Sequence, residues 1–456
     1  MNRAPYVLAI TAAMLLSSRA AAQEPESRDA TARLRDRIRE PGGVRGSDRS
    51  LANRRRPMMR ARATLLTMLL IAAVACDDES GDAASEAMRV QPLPTPAGPR
   101  SGEPSIVVDN DGRALLTWLE SSDSGAVLRM ATLDDTAWSE PRTIAARRDF
   151  IVNWADFPSA MPLGGDRIAA HWLEREGSDT YAYGVRMSFS ADGGRSWSEP
   201  VRPHADSTET EHGFVSLLPA DDAVDAIWLD GRNFAAGRAE MTLRTARVGA
   251  ASIRGEAVLD ERVCDCCQTD AALASGGAVV VYRDRSPGEI RDIAIVRRLD
   301  GRWTEPRIIH ADGWQIDGCP VNGPAVAASG ERVAVAWFTA AHDSTKVLLA
   351  FSRDGGASFG EPVRLDEGDP AGRVDVAMVD GGNVVVSWIE QRGADASLRL
   401  RRVSPDGIAG DATTIASVSA SRAAGFPRMA VVGASVVIAW TDVDAATVRT
   451  ARVSLQ

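Results

Sequence analysis

Seven short apolar runs, each ending in an aromatic residue, recur along the chain at Trp118, Trp172, Trp228, Tyr282, Trp337, Trp388 and Trp440. The intervals between them are 54, 56, 54, 55, 51 and 52 residues. The runs alternate or are densely apolar, as in Ala-Leu-Leu-Thr-Trp (114–118), Val-Val-Val-Tyr (279–282), Val-Ala-Val-Ala-Trp (333–337) and Val-Val-Ile-Ala-Trp (436–440). Such runs predict strands, and a period of about 50 residues with several strands per unit is the mark of a β-propeller.

Each unit divides into four strands. Around Trp172 they fall near 157–162, at 167–173, at 183–190, and from Trp197-Ser-Glu-Pro200 onward. The fourth-strand signature returns as Trp138-Ser-Glu-Pro141, Trp303-Thr-Glu-Pro306 and Phe359-Gly-Glu-Pro362, and is degraded at Gly255-Glu256 and Gly410-Asp411. Strand two therefore has seven copies and strand four has six. The last unit stops after 447–453, and Met88-Arg-Val-Gln (88–91) precedes the first. Pairing the two chain ends leaves no open sheet edge. The expectation is an all-β, seven-bladed β-propeller of four-stranded blades closed by an N-terminal outer strand, with six blades as the alternative.

Between strands three and four lie Ser190-Ala-Asp192-Gly-Gly194-Arg-Ser-Trp197 and Ser352-Arg-Asp354-Gly-Gly356-Ala-Ser-Phe359. They resemble the Asp-box of the sialidase-like (BNR repeat) propellers, and the resemblance spans residues 100–456. Asp192 and Asp354 are read as structural: an aspartate bonds the amides of its own turn, and glycine tolerates positive φ.

Composition narrows the partners. The 456 residues are 45% hydrophobic, ample for a core, and the net charge of −10 argues against nucleic acid. Lys346 is the only lysine among 52 basic residues, a bias that weakens any single arginine as a clue.

The N-terminus carries two export-like segments. The first, Met1 to Gln23, ends in Ala20-Ala21-Ala22. In the second, Arg60 and Arg62 precede an apolar run from Leu65 to Cys76. It resembles a bacterial lipoprotein signal with a lipobox ending at Cys76, although Ala73 stands where leucine is usual. The run of about 12 residues is too short to span a bilayer, which takes roughly 20. Translation is expected from Met58 or Met59. Residues 1–57 are then a start called too early or a disordered extension, 58–75 a signal peptide, 76–100 a tether and 101–456 the propeller. Lipid on Cys76 would anchor an exported monomer in the periplasm or on the outer surface of a bacterium.

Strands in a blade alternate direction, so the strand 2–3 loops and strand 4–1 crossovers share one face. The unusual residues gather there. The crossovers hold Asn153-Trp154-Ala-Asp156, Glu211-His212, Cys264-Asp265-Cys266-Cys267-Gln268, and Trp314 through Cys319 to Asn322. The loops hold Glu174-Arg175, Asp230-Gly-Arg232-Asn233, Arg283-Asp284-Arg285 and Glu289-Ile-Arg291-Asp292. All belong to units two to five. A polar site at one mouth of the channel follows.

The sialidase resemblance implies three arginines gripping a carboxylate, a Tyr–Glu nucleophile pair and an aspartate acid/base. Arg232, Arg283, Arg285, Arg291 and Arg373 are the arginine candidates, with Trp154, His212 and Asn322 as further ligand contacts. Asp156, Glu211, Asp230 and Asp284 are the candidate catalytic carboxylates. Where the family has Arg-Ile-Pro, this chain reads Gly-Glu-Pro-Ser-Ile-Val-Val (102–108), and Tyr282 occupies the repeat's packing position. Cys264, Cys266, Cys267 and Cys319 form either two disulfides, as an exported protein allows, or a soft-metal site for Cu or Zn with His212, or a redox centre. Three functions remain in play: recognition of an anionic glycan or similar small ligand, exo-sialidase-type hydrolysis, and metal or thiol chemistry at the cysteines.

Overall fold

The computed structural model describes residues 88–238 and 240–455. The proposed signal peptides, Cys76 and most of the tether lie outside them. Among the described residues no helix is long and apolar enough to cross a membrane.

Seven antiparallel sheets form the seven blades, each built outward from an inner strand. The inner strands are Ser101–Val108, Ser159–Gly164, His212–Ala220, Asp270–Ala274, Ala325–Ser329, Pro370–Met378 and Arg428–Val432. Blade 7 is completed by Arg89–Leu93, which pairs with Thr447–Ser454 in the register Arg89↔Ser454 to Leu93↔Thr450. The chain ends close the ring as expected, and the six-bladed alternative falls.

The cores lie between blades. One cluster packs blade 1 on blade 2 through Leu115, Leu128, Ala170 and Trp172. Another joins blade 5 to blade 6 through Val347, Leu349, Val386 and Trp388. The repeat aromatics sit at their centres: the first six are at most 1% exposed, and Trp440 is 9% exposed. A buried indole N–H needs an acceptor. Four of these tryptophans find one in the carboxylate two residues on, at Glu120, Glu174, Asp230 and Glu390. Trp337 uses Asp312, and the Tyr282 hydroxyl uses Asp260.

The fourth strands differ from expectation in one respect. The Trp-Ser-Glu-Pro signature is a break rather than a strand start. In blade 1 it separates Ala137–Trp138 from Arg142–Arg147, because proline removes a ladder donor. In blade 2 only a single bridge, Met187↔Val201, remains of the fourth strand. Blade 3 lacks the proline, and its outer strand runs unbroken over Ser252–Val263.

Candidate functional site

All seven inner strands start at the same mouth of the channel. Three of them begin with a bulge. Glu103, Phe214 and Arg373 have φ of 52°, 54° and 58°, and each follows a glycine at a register shift. Non-glycine residues in the left-handed region are uncommon and gather at functional sites. The glycines are required where backbones crowd. A Cβ on Gly213 would overlap Asp156 Oδ2, and one on Gly372 would overlap Asn322 Oδ1.

The crossover segment 153–157 lies across this mouth. Gln268 Nε2 donates to Ala155 O at 2.6 Å, and Gly323 N donates to Gln268 Oε1 at 3.0 Å. Trp154 stacks on Phe426 of the blade 7 crossover, with ring centroids 6.0 Å apart, and Phe157 approaches the same ring. Beneath the segment is a channel cavity of about 170 Å³, lined by Ser105, Asp156, Ser216, Thr269, Asp270 and Arg428 among others. Arg428, at its wall, lies 3.5 Å from the Asp375 carboxylate.

An acidic cluster sits where the segment meets blades 2 and 3. The Tyr183 hydroxyl donates to Glu211 Oε1. Asp156 Oδ1 accepts the Phe214 amide at 2.7 Å, and its Oδ2 is buried without a hydrogen-bond partner among the described residues. Burial pushes the Asp156 carboxyl well above its usual range, and the charge of Glu211 adds to this. Burial likewise lifts Glu211 to about 7, opposed by the Tyr183 hydrogen bond and assisted by Asp265. Burial and both carboxylates raise the Tyr183 phenol. Glu103, on the blade 1 bulge, is lifted to about 7 by burial. Buried acids with displaced pKa values at a channel mouth are a candidate functional site.

The five arginine candidates separate by partner. Arg283 donates to the carbonyls of Asn322, Arg291 and Phe338 and lies over Trp314, so it ties crossovers together. Arg232 grips Asp230 with two nitrogens at 2.7 Å and also meets Glu256. Arg285 bridges Asp265 and Glu289, and Arg291 meets Glu289 at 2.8 Å. Arg373 differs. It is 6% exposed, donates to Gly425 O, and lies over Trp154 at 5.3 Å. Among the described residues no carboxylate pairs with it. Burial, together with the neighbouring charge of the exposed Arg422, lowers its pKa to about 10.

The other sequence candidates have structural partners. Asp230 is fully buried and accepts from Trp228 as well as Arg232. His212 is also fully buried, lies within hydrogen-bond distance of Thr210 O and the Asp206 carboxylate at 3.1 Å each, and stacks on His204 at 4.1 Å. Asp284 lies among Asp260, Asp292 and Arg262, with burial raising it to about 6. Asn322 Oδ1 accepts the Arg373 amide at 2.8 Å, which fixes the blade 6 bulge. The structure thus brings together Asp156, Glu211, Trp154 and Arg373, and turns the side chains of Asp230 and Asp284 into other clusters, Asp230 onto Trp228 and Arg232 and Asp284 among Asp260 and Asp292. On the opposite face, Asp192 accepts the Arg195 and Ser196 amides at 2.9 Å, and Asp354 accepts the Ser358 amide at 2.8 Å.

Sequence reading left Tyr183 unassigned and missed Glu103, Arg422, Phe426 and His204. One signal was present: a glycine at the start of three inner strands, in Gly102-Glu103, Gly213-Phe214 and Gly372-Arg373.

The cysteines pair as Cys264–Cys267 and Cys266–Cys319, with Cα atoms 5.8 and 6.1 Å apart, inside the ordinary disulfide range. The Sγ atoms of Cys264, Cys266 and Cys267 lie within 4.8 Å of one another, a spacing that would suit a metal. Metal ligation needs thiolates, so a Cu or Zn site would require these bonds to be reduced.

No family model and no curated protein matches the chain. Solved structures do. A polysaccharide lyase, ulvan lyase bound to -[GlcA(1-4)Rha3S]-, has a TM-score of 0.51 at 10% identity, over 79% of this chain and 92% of that one. A protein of unknown function from Dyadobacter fermentans has a TM-score of 0.48 at 13% identity, over 81% and 99%. A Hadza microbial sialidase has a TM-score of 0.39 at 17% identity, over 63% of each chain. Neuraminidase-like propellers are also among the neighbours. The likeness is one of fold, and any account of activity has to come from the site.

Proposed function

We infer that the mouth carrying Arg373 recognises an anionic saccharide. The observation that supports this is Arg373 itself, a buried guanidinium without a carboxylate, beside a second arginine and against an indole. A buried cation of this kind is stabilised by an incoming anion, and a guanidinium matches a carboxylate or sulfate with two parallel hydrogen bonds. The half-buried Trp154, backed by Phe426, offers an apolar edge beside Arg373 of the kind that packs against a sugar ring. Glu103 and Glu211 offer carboxyl groups to sugar hydroxyls. A propeller of this fold, the ulvan lyase, is described as bound to -[GlcA(1-4)Rha3S]-, an anionic saccharide.

Isothermal titration with sialyllactose and with oligoglucuronate, against uncharged lactose, tests the reading. Arg373→Ala is expected to weaken binding of the charged sugars by roughly 10- to 100-fold, in line with loss of a charge-assisted hydrogen bond of about 1.5–3 kcal/mol. Equal binding of lactose, or no effect of the substitution, would sink it.

A second reading, glycoside hydrolysis, is favoured by Tyr183, Glu211 and Asp156 standing together. In that chemistry Glu211 takes the phenolic proton as Tyr183 attacks the anomeric carbon. Asp156, protonated by virtue of its burial, gives its proton to the leaving oxygen; its carboxylate then takes a proton from the water that displaces the sugar from Tyr183, and Glu211 returns the phenolic proton. Release of free sugar by the wild type but not by Tyr183→Phe would establish it, whereas binding without release would leave recognition alone.

The proposal includes export and lipid anchoring through Cys76, supported by the lipobox-like run 65–76. Metabolic labelling with a fatty acid, lost in Cys76→Ala, is the corresponding test.

A further inference from the structure

The two disulfides differ in access although they adjoin. Cys264 and Cys267 are each 1% exposed, whereas Cys319 is exposed and Cys266 half-buried. The Cys266 sulfur lies within 4.8 Å of both sulfurs of the buried bond. A cation attends one end of that bond: Arg291 Nη1 is 3.5 Å from Cys264 Sγ, and the Arg291 side chain is 3% exposed. Its Nε is buried with no hydrogen-bond partner among the described residues. A disulfide sulfur is neutral and gains little from a guanidinium. A thiolate gains a great deal, and cations lower thiol pKa for this reason.

We propose that the four cysteines form a two-step thiol–disulfide relay, an activity independent of saccharide recognition. The reductant is a dithiol, small or protein-borne. Its thiolate attacks Cys319 Sγ, breaks the bond to Cys266 and expels the Cys266 thiolate. Its second thiol resolves the mixed disulfide, releasing Cys319 as a thiol, and the donor leaves as a disulfide. Two electrons have then entered the protein. In the second step the Cys266 thiolate attacks Cys267 Sγ, forms a Cys266–Cys267 bond and expels the Cys264 thiolate against Arg291. No electrons are exchanged with the outside in that step.

Thiolate attack on a neighbouring disulfide is the ordinary route of such exchange, and a better-stabilised leaving thiolate departs faster. Adjacent residues have Cα atoms about 3.8 Å apart, short of the usual disulfide span, so the new bond is strained and the second step is reversible. The free thiol is therefore shared between Cys266 and Cys264.

The test follows the thiols. Wild-type protein is reduced with one equivalent of dithiothreitol, quenched in acid, denatured, alkylated and mapped by mass spectrometry. The expected two-electron species carries label on Cys319 and divides the second label between Cys266 and Cys264. Label on Cys319 and Cys266 alone would overturn the relay, as would first reduction of the Cys264–Cys267 pair. Cys319→Ser, which leaves a single thiol, is expected to show label on both Cys266 and Cys264. Adding Arg291→Gln should drain label from Cys264, and an unchanged distribution counts against the role of Arg291. No saccharide is present, so either result leaves the recognition reading where it stood.

Discussion

Tyr183 and Glu211 join two blades through one hydrogen bond: the phenol at the start of the third strand of blade 2 donates to the carboxylate on the crossover into blade 3. That bond opposes the burial that lifts Glu211. Tyr183→Phe removes the donor and leaves the carboxylate buried with less support. The Glu211 pKa should therefore rise above about 7, and the folded state should lose about 1–3 kcal/mol at pH 8. Carbon-13 carboxyl titration and urea melts measure the two effects. An unchanged Glu211 titration would show that the bond does not form in solution.

The raised carboxyls set a pH dependence for stability. Glu103 and Glu211 each titrate near 7 in the fold, against 4.5 ordinarily. A folded state that holds protons more tightly than the unfolded chain is favoured at low pH. This contribution is fully present below about 4.5 and is lost as pH rises through about 7. It amounts to on the order of 3 kcal/mol per group. Asp230 works in the opposite sense. Burial alone would raise it, but Arg232, His212 and Trp228 outweigh that and hold it at about 2, so its contribution is lost as pH falls from 3.8 toward 2. Stability should peak between about pH 3.8 and 4.5, decline from about pH 4.5 to pH 7, and level off above that. Glu103→Gln with Glu211→Gln should flatten the decline, which denaturant melts across pH 3–9 would reveal.

The blades were legible in the sequence because a repeated core position is a local signal. Each of Trp118, Trp172, Trp228 and Trp388 announces its strand by apolar neighbours, and the carboxylate two residues on is its hydrogen-bond acceptor. That same adjacency left Asp230 with two readings, a candidate catalytic carboxylate and a loop salt-bridge partner of its arginine neighbour; in the structure it pairs with Arg232 and also accepts from Trp228. The converse held for Tyr183 and Arg373. Tyr183 is 28 residues from Glu211, and Arg373 is paired with nothing near it in sequence. Only ring closure, which sets blade 2 against blade 3 and lays Trp154 over blades 6 and 7, assembles those contacts. The disulfide pairing was open for a related reason: three cysteines within four positions satisfy several geometries, and the path of the 314–323 crossover selects among them.

The contrast between Asp230 and Glu211 is itself testable. Asp230 is fully buried and accepts from Trp228 Nε1 at 2.8 Å and from two Arg232 nitrogens. Asp230→Asn leaves Arg232 with Glu256 alone and should cost about 3–5 kcal/mol, as for other broken buried pairs. Affinity for a charged saccharide should be unchanged in the fraction that folds. Glu211→Gln is expected to do the reverse, with little loss of stability at pH 7 and weaker binding. Paired urea melts and calorimetric titrations decide it. Loss of affinity in Asp230→Asn would extend the ligand site into the His212 pocket.

The ring closure makes the last prediction. Arg89–Leu93 supplies the outer strand of blade 7 through five register pairs, and Leu93 is buried against Trp118 and Val448 between blades 7 and 1. A chain beginning at Gly98 would lose that strand and expose the edge of Thr447–Ser454, one of whose neighbours is gone. An unpaired edge is both a loss of hydrogen bonds and a template for association. Thr95 Oγ1 also donates to Val448 O at 2.7 Å, so the truncation removes a tie beyond the strand itself. The truncated protein should melt at lower temperature and self-associate, relative to a chain beginning at Met88. Differential scanning calorimetry and light scattering measure this. Because Trp154, Glu211 and Arg373 lie far along the chain from residue 98, and Glu103 sits on an inner strand that the truncation keeps, saccharide binding at low temperature should survive in the monomeric fraction. A truncation that melts like the parent would mean that blade 7 is held by its packing on blades 6 and 1, with the N-terminal strand as an accessory.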